Sequence, residues 1–261
     1  MRARGPRSVV ARDPARGHTS GGRTLPAPRH RRRPRGVLLP ASLTWLLAMF
    51  PTPAGADAVT PGAPPAACTA DTGPYQWEME QYLRLPADGR QSTADCEAIR
   101  AFQQRERLAP ADGSANLATY RTTLVVEERR HPNRDAKCPA GERRVVCVDL
   151  TRQLLWVQYD GTQVYRAVPV RTGRWGQQTR EGRHEITDRV IDETSDLYDD
   201  APMPYAQYFS GGQALHGVYG GLFNGGGSAG CINLQLADAE RLWNTTSTGD
   251  TVFVWGRKPA T

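Results

Sequence analysis

The sequence predicts an α+β fold, in which a small helical unit precedes a β-rich domain with one helix packed on it. Apolar residues recur at helical spacing within residues 78–83 and 94–103. From Arg144 onward, short runs rich in Val, Leu, Trp and Tyr alternate with turn signals such as Asp160-Gly161. Most helices are therefore expected before Arg144 and the strands after it, with one helix among the strands.

The formal net charge of +6 does not describe the body of the protein, because the basic residues are concentrated at its start. The first 36 residues contain 11 Arg and one acidic residue. From Val37 onward, 22 Lys and Arg stand against 26 Asp and Glu, a net charge of −4. A mildly acidic body lacks the electrostatic footprint of a nucleic-acid-binding protein, so we expect no nucleic-acid partner.

An apolar run over residues 37–50 follows the basic segment, and small residues near 54–58 offer cleavage sites. This order is typical of a secretory signal peptide. The run is shorter than the ~20 residues of a membrane span and is interrupted by Pro40, so an uncleaved anchor is the less favoured alternative. We therefore assign residues 1–58 to a leader and expect an exported protein with no stable membrane span in the mature chain.

Export changes the interpretation of the five cysteines, because thiols pair in an oxidising compartment. Four cysteines allow three connectivities, of which we favour Cys68–Cys96 with Cys138–Cys147. A turn after Cys138 that leads into a strand would bring the second pair of sulfurs together. Cys231 is then the unpaired thiol. A buried, inert cysteine is the alternative, but such a site would not need glycine-rich surroundings.

The remaining chain divides into a linker and two domains. Residues 59–67 form a Pro/Ala-rich linker, residues 68–127 a small helical domain and residues 144–256 the β-rich domain. Within the last of these, residues 237–243 are the one good helix candidate, and residues 251–255 close the domain as a strand.

Cysteine chemistry is suggested by the surroundings of Cys231. His216 lies fifteen residues upstream of it, and three small residues precede it directly: Ser228, Ala229 and Gly230. A cysteine can act as a nucleophile when a histidine takes its proton. Small residues let the backbone N–H groups of Ala229, Gly230 and Cys231 approach a developing oxyanion. The pattern favours acyl transfer.

From about Arg144 to Gly256 the chain resembles the L,D-transpeptidase catalytic domain of the YkuD family. The family signature, a histidine followed later by Ser/Thr-His-Gly-Cys-x-Arg/Asn, is matched by His216, Ser228, Gly230, Cys231 and Asn233. The resemblance implies a sandwich- or barrel-like β domain with one packed helix. Ala229 departs from the pattern, because the family usually has histidine there. Its backbone N–H is retained, so an active enzyme with altered efficiency or specificity is expected.

The helical domain resembles the three-helix peptidoglycan-binding module, through Ile99-Arg100-Ala101-Phe102-Gln103 followed by Leu108 and Asp112-Gly113. Ile99 and Phe102 belong to the core of such a unit and carry no information about binding. A purely structural helical cap is therefore the alternative.

The resemblance also implies a reaction and a location, the cell wall. The Cys231 thiolate attacks a tetrapeptide stem of peptidoglycan after its third residue, D-Ala leaves with a proton from His216, and a thioester remains. A diaminopimelate-type side-chain amine of a second stem then forms the cross-link. Water as acceptor would make the protein an L,D-carboxypeptidase. Because Ala229 replaces the histidine usual in the family, a noncatalytic wall-binding relative stays an alternative. If the thiol is active, a carbapenem is expected to acylate it.

Substrate contacts are predicted for five residues, namely Ser228, Asn233, Tyr205, Met203 and Gly217. Ser228 and Asn233 could instead serve a turn, and the aromatic residue near Pro204 could simply pack in a loop. A zinc site would need three or four converging ligands, and only His216 and Cys231 are plausible neighbours. We expect neither a metal nor a cofactor.

Overall fold

The computed structural model describes residues 67–224 and 226–259. The predicted leader and all but the last residue of the predicted linker lie outside the described residues, so both stay predictions. In the described part, no helix is long and apolar enough to cross a bilayer.

Three helices form the N-terminal part of the described chain, α1 (Gln76–Leu83), α2 (Thr93–Arg105) and α3 (Leu117–Arg130). Ser92 begins α2 with a capping box, in which its side chain accepts a hydrogen bond from the backbone N–H of Asp95 and the Asp95 carboxylate accepts one from Ser92. The three helices bury a shared core that includes Met79, Ile99 and Phe102. Both predicted helices are confirmed, and each extends a few residues beyond its predicted bounds.

Two disulfides join the pairs favoured from the sequence, Cys68–Cys96 and Cys138–Cys147. The first ties the start of the described chain to α2. The second links the segment after α3 to the first strand of the sheet that follows. Cys231 is the free cysteine, as predicted.

The β-rich part of the described chain contains two sheets. Its strands are β1 (Arg144–Asp149), β2 (Leu154–Tyr159), β3 (Thr162–Pro169), β4 (Gly182–Glu185), β5 (Asp188–Ser195), β6 (Ala201–Ser210), β7 (Gln213–Val218), β8 (Ile232–Gln235) and β9 (Thr251–Trp255). The first sheet has the order β3-β2-β1-β9-β4, and the second has the order β5-β6-β7-β8. Most neighbouring strands are antiparallel, but β1 pairs with β9 and β7 pairs with β8 in parallel.

The main hydrophobic core joins the two sheets. Val146 and Val148 from β1 pack there with Leu215 from β7 and Ile232 from β8, all fully buried. Helix α4 (Leu236–Thr245) begins where β8 ends and contributes Ala239 and Leu242 to the same core. This architecture confirms the predicted α+β fold with two packed layers of strands and one helix against them.

Helix α3 packs on the other face of the first sheet and continues past residue 127, where the sequence placed the end of the helical domain. Val125 shares a buried cluster with Cys147 and Trp156 of that sheet. The Arg129 guanidinium donates from Nε to the Ala167 carbonyl at 2.8 Å. Helices and sheets thus belong to one compact unit, and the division into two domains stays a prediction.

A buried ion-pair network strengthens this contact. Arg152, which follows β1, donates to the Glu128 carboxylate of α3 at 2.7 Å and to the Asp149 carboxylate at 2.6 Å. The Glu128 side chain is fully buried, and the Asp149 side chain is 6 % exposed. Removing the Arg152 cation would destabilise the fold, because each carboxylate would then be a buried charge that is neither paired nor well solvated.

We expect Arg152→Ala to lower the free energy of unfolding by about 3–5 kcal/mol, because it leaves two buried carboxylates without their cation. Arg183→Ala is the matched control, since Arg183 pairs with Glu142 at the surface and such pairs contribute about 0–1 kcal/mol. Chemical denaturation of the parent and both variants measures the two losses in the free energy of unfolding. Equal losses would contradict a stabilising role for the buried network.

Candidate active site

The parallel pairing of β7 with β8 brings the predicted site residues together. His216 lies opposite Asn233 in this register, and Leu215 lies opposite Ile232. Because side chains alternate along a strand, Leu215 and Ile232 point into the core while His216 and Asn233 share the opposite face. Cys231 directly precedes β8 and lies two residues before Asn233, so its side chain belongs to the same face.

His216 is buried, with 6 % of its surface exposed, and both ring nitrogens are engaged. Nδ1 lies 2.8 Å from the Gly217 carbonyl oxygen, and Nε2 lies 2.9 Å from the Asn233 side-chain nitrogen. A carbonyl only accepts, so the proton sits on Nδ1 and the Nε2 lone pair accepts from Asn233. Burial lowers the pKa of His216, against the effect of the Gly217 bond, and the positive charge of Arg171 lowers it further. The ring is thus neutral near pH 7 and has the tautomer that a base at Nε2 requires.

Arg171 fixes the orientation of Asn233. Its Nε donates to the Asn233 side-chain oxygen at 3.1 Å, which leaves the Asn233 amide nitrogen to face His216. Backbone hydrogen bonds of 3.0 and 2.9 Å also join the two residues. Nη1 of Arg171 donates to the Asn224 carbonyl at 2.7 Å. Asn233 therefore positions the histidine ring, a role that the sequence interpretation did not include.

The Cys231 thiol is half-buried and accepts a hydrogen bond from the Ala214 N–H at 3.5 Å. Burial raises the pKa of Cys231, and the Ala214 bond opposes the rise only in part. The thiol is therefore protonated near neutral pH. Within residues 67–224 and 226–259 no hydrogen bond joins it to His216, whose Nε2 is bonded to Asn233. Ionisation of the thiol by the imidazole stays a prediction.

The turn before Cys231 is held by its own side chains. The Ser228 hydroxyl donates to the Cys231 carbonyl at 2.6 Å and accepts from the Gly230 N–H at 3.1 Å. Gly230 has φ of +115°, and a Cβ there would collide with the Gln213 amide, so glycine is required. Ala229 lies between them in the same turn, half-buried. Ser228 thus serves the backbone of the turn, and its contact with substrate stays a prediction.

Tyr208 belongs to this face, although the sequence analysis did not select it as a site residue. It pairs with Ala214 on the neighbouring strand, and Ala214 in turn bonds the Cys231 sulfur. Burial raises the pKa of Tyr208 to about 12, and the charges of Glu193 and Cys231 act in the same direction. A neutral phenol thus lies near the thiol. Only the register of β6 on β7 identifies it.

The other three predicted substrate residues contact different parts of the fold. Tyr205, at φ of +59°, has its ring 6.2 Å from that of Trp243 on α4. Met203 is buried on β6. A Cβ on Gly217 would lie 3.2 Å from side-chain atoms of Ala239 on α4, so this glycine permits close packing. In the described part of the chain no hydrogen bond joins Tyr205 or Met203 to Cys231, and their role toward substrate stays a prediction.

No group of three or more His, Cys, Asp and Glu side chains in the described residues could hold a metal ion. His184 lies on β4, where its Nε2 is 3.2 Å from the Arg180 carbonyl. His131 is exposed at the end of α3. Neither residue contributes to the face that carries Cys231.

Comparisons with known proteins give a consistent result. The family model for YkuD, the L,D-transpeptidase catalytic domain, matches residues 143–254. The crystal structure of an L,D-transpeptidase (Yku) from Stackebrandtia nassauensis is 34 % identical, with a TM-score of 0.56 over 76 % of this chain and 100 % of that one. An L,D-transpeptidase from Xylanimonas cellulosilytica is 25 % identical, with a TM-score of 0.42 over 75 % of this chain and 100 % of that one. No curated protein sequence matches the chain.

The family model and the Stackebrandtia nassauensis structure place the β-rich part of the protein in the class of YkuD catalytic domains, the class that the sequence resemblance predicted. The chain belongs to the L,D-transpeptidase family. Membership supports a transpeptidase of the cell wall that acts on peptidoglycan, consistent with a location outside the cytoplasm.

Arg171→Gln should raise the pKa of His216, because the variant removes a positive charge that disfavours the imidazolium. The histidine titration followed by NMR measures this shift. Arg174→Gln is the control, since Arg174 is an exposed arginine three residues away that bonds Gln177. An unchanged or lower His216 pKa in Arg171→Gln would contradict the electrostatic description of the site.

Proposed function

We propose that this protein is an L,D-transpeptidase that cross-links peptidoglycan stems through a thioester on Cys231. The observation that carries the proposal is the free thiol of Cys231 on the same sheet face as His216, whose ring is held in the base-competent tautomer. Both neighbours of the ring, Gly217 and Asn233, support that tautomer.

His216 acts as the general base in this proposal. Its Nε2 has one lone pair, so it cannot accept from Asn233 and from the thiol at the same time. The Asn233–His216 hydrogen bond must therefore open before the thiol proton moves to Nε2. Such rearrangement on substrate binding is common in sites whose catalytic hydrogen bonds are incomplete in the free enzyme.

Proton removal and attack occur together, because burial keeps the Cys231 thiol protonated in the free protein. Sγ bonds to the carbonyl carbon after the third stem residue as His216 takes the thiol proton. The negative oxygen is stabilised by the backbone N–H groups of Ala229 and Cys231, since the Gly230 N–H donates to Ser228. Ala229 contributes through its backbone, so the missing histidine side chain does not remove this function.

The C–N bond to D-Ala then breaks, and His216 returns the proton to the departing amine. The diaminopimelate-type amine of a second stem attacks the thioester and restores the thiol. With water in place of the amine, the same steps give an L,D-carboxypeptidase. The outcome depends on excluding water while admitting the amine.

The rest of the molecule fits a protein that works in the wall. The basic and apolar start of the sequence directs export, and the two disulfides suit an oxidising compartment. Helices α1–α3 form a peptidoglycan-binding-like domain that holds the catalytic domain near its polymer. A carbapenem acylates the Cys231 thiol by the same attack.

A noncatalytic wall-binding relative is the second candidate function. The observation that favours it is the Asn233 hydrogen bond on the only lone pair that His216 could use as a base. The absence of histidine at position 229 points in the same direction.

Incubation of the full chain with disaccharide-tetrapeptide distinguishes the two functions. The transpeptidase yields cross-linked dimer and free D-Ala, and Cys231→Ala abolishes both because it removes the nucleophile. His216→Ala should lower the rate by about 10²–10⁴-fold, the range for loss of a general base. His184→Ala, a histidine outside the site, should leave the rate unchanged. Full activity of Cys231→Ala would refute the mechanism.

Alkylation of Cys231 by iodoacetamide should be slow near neutral pH and accelerate as the pH rises. Burial holds the thiol pKa above its ordinary value, and only the thiolate reacts. Mass spectrometry of the labelled chain over a pH series measures the rate. Rapid labelling at neutral pH that is lost in His216→Ala would instead indicate a preformed thiolate–imidazolium pair.

A further inference from the structure

A cavity of about 300 Å³ lies where the start of α3 meets the segment that follows β3. Three basic side chains line it, Arg121 from α3, Arg171 and Lys258. Apolar side chains complete the wall, among them Leu117, Val170 and Leu222. Because helices and sheets both contribute, the cavity exists only where the helical part is docked on the catalytic part.

The three cations are bonded to neutral oxygens. Arg121 is 6 % exposed and donates to the Arg152 carbonyl at 2.7 Å. Lys258 donates to the Gly226 and Thr172 carbonyls at 2.6 and 3.2 Å. Within the described residues, no ion pair involves Arg121, Arg171 or Lys258. The carboxylate of Asp149, which acts on Arg121, is itself bonded to Arg152.

The charges in this cavity repel one another. Burial lowers the pKa of Lys258, and the positive charges of Arg121 and Arg171 lower it further. Burial alone lowers the pKa of Arg171, and it is the main cause of the lowered pKa of Arg121. An anion bound between the three side chains would relieve both the desolvation and the repulsion.

We propose that this cavity binds a carboxylate of the peptidoglycan stem peptide, an inference that rests on the proposed function. The planar guanidinium groups of Arg121 and Arg171 match a carboxylate, and Lys258 adds a point charge. Leu117, Val170 and Leu222 suit the aliphatic part of an amino-acid residue, which a phosphodiester of a wall polymer would not supply.

Carboxylate binding in the cavity is coupled to the proposed base, His216, through Arg171. This residue lines the cavity and also bonds Asn233. Its Nε holds the Asn233 side-chain oxygen, and Asn233 occupies Nε2 of His216. Within the described chain its Nη2 makes no hydrogen bond. A carboxylate that draws the guanidinium toward the cavity pulls Asn233 with it and releases the lone pair that accepts the thiol proton. Arg171 is therefore a positioning residue that makes the base depend on the substrate.

Calorimetric titration of the full chain tests the assignment, with Cys231→Ala as the nonreacting background. The probe is the stem tetrapeptide, together with versions in which each carboxylate in turn is a carboxamide. Arg121→Gln and Lys258→Gln should each weaken tetrapeptide binding by about tenfold, the loss expected for one charge-assisted hydrogen bond. The peptide in which the recognised carboxylate is replaced by a carboxamide should bind the parent and both variants equally weakly, because it lacks the charge that the cavity binds. Arg166→Gln, an exposed arginine on β3, should match the parent.

Two further measurements keep the test decisive. Arg121→Lys retains the charge and should recover part of the affinity lost in Arg121→Gln, which separates the effect of charge from an effect on folding. In NMR spectra of the Cys231→Ala chain, tetrapeptide should shift the His216 Nε2 resonance, and Arg121→Gln should suppress the shift at equal peptide concentration. A merely structural cavity would not move this resonance.

The outcomes separate this inference from the proposed function. If the unmodified chain forms a thioester with tetrapeptide but Arg121→Gln and Lys258→Gln bind the peptide as Arg166→Gln does, the cavity assignment is wrong and the function stands. If no thioester forms while binding still depends on Arg121, Lys258 and one carboxylate, the cavity assignment stands and the function fails. Binding of inorganic phosphate without measurable tetrapeptide binding would overturn the peptide assignment.

Discussion

The site depends on a chain of hydrogen bonds that runs from Arg171 through Asn233 to His216 and ends on the Gly217 carbonyl. Each link fixes the direction of the next, because the arginine only donates and the carbonyl only accepts. These hydrogen bonds set the amide orientation of Asn233, the tautomer of His216 and the ring nitrogen that carries the lone pair. The Asn233 amide occupies that lone pair, so in the proposed mechanism this bond must open before His216 can act as a base.

This arrangement needs strands from distant parts of the sequence. The parallel pairing of β7 with β8 brings His216 beside Asn233, and the segment after β3 brings Arg171 to the other side of Asn233. Core residues such as Leu215 and Ile232 anchor the same strands from the opposite face. Since α3 packs on the first sheet, the helical part also contributes a wall to the cavity around Arg171. The site and the docking of the helices are thus physically connected.

Local patterns were sufficient to predict much of the fold. Helical spacing identified α2, and the Asp160-Gly161 turn separated β2 from β3. The expectation of export and the turn after Cys138 led to the favoured disulfide pairs and to Cys231 as the free cysteine, and the structure has both. The signature around Cys231 identified the family. The helix and turn patterns depend on neighbours in sequence, and the disulfides and the signature depend on residue types at fixed positions, so all of them are visible without the fold.

The roles of Asn233, Arg171 and Tyr208 could not be predicted in the same way. Asn233 was assigned to substrate or to a turn, because nothing in the sequence states that it faces His216 across a parallel pair. Arg171 and Tyr208 reach the site only through strand registers and bridges that join residues far apart along the chain. Alternation indicates which residues share a face of one strand, but not which strand lies beside it.

The most direct test of this account is the tautomer of His216, read from the ¹⁵N shifts of its two ring nitrogens in the free protein at neutral pH. The account predicts a neutral ring with the proton on Nδ1 and a hydrogen-bonded, unprotonated Nε2. A proton on Nε2, or an imidazolium at that pH, would contradict it.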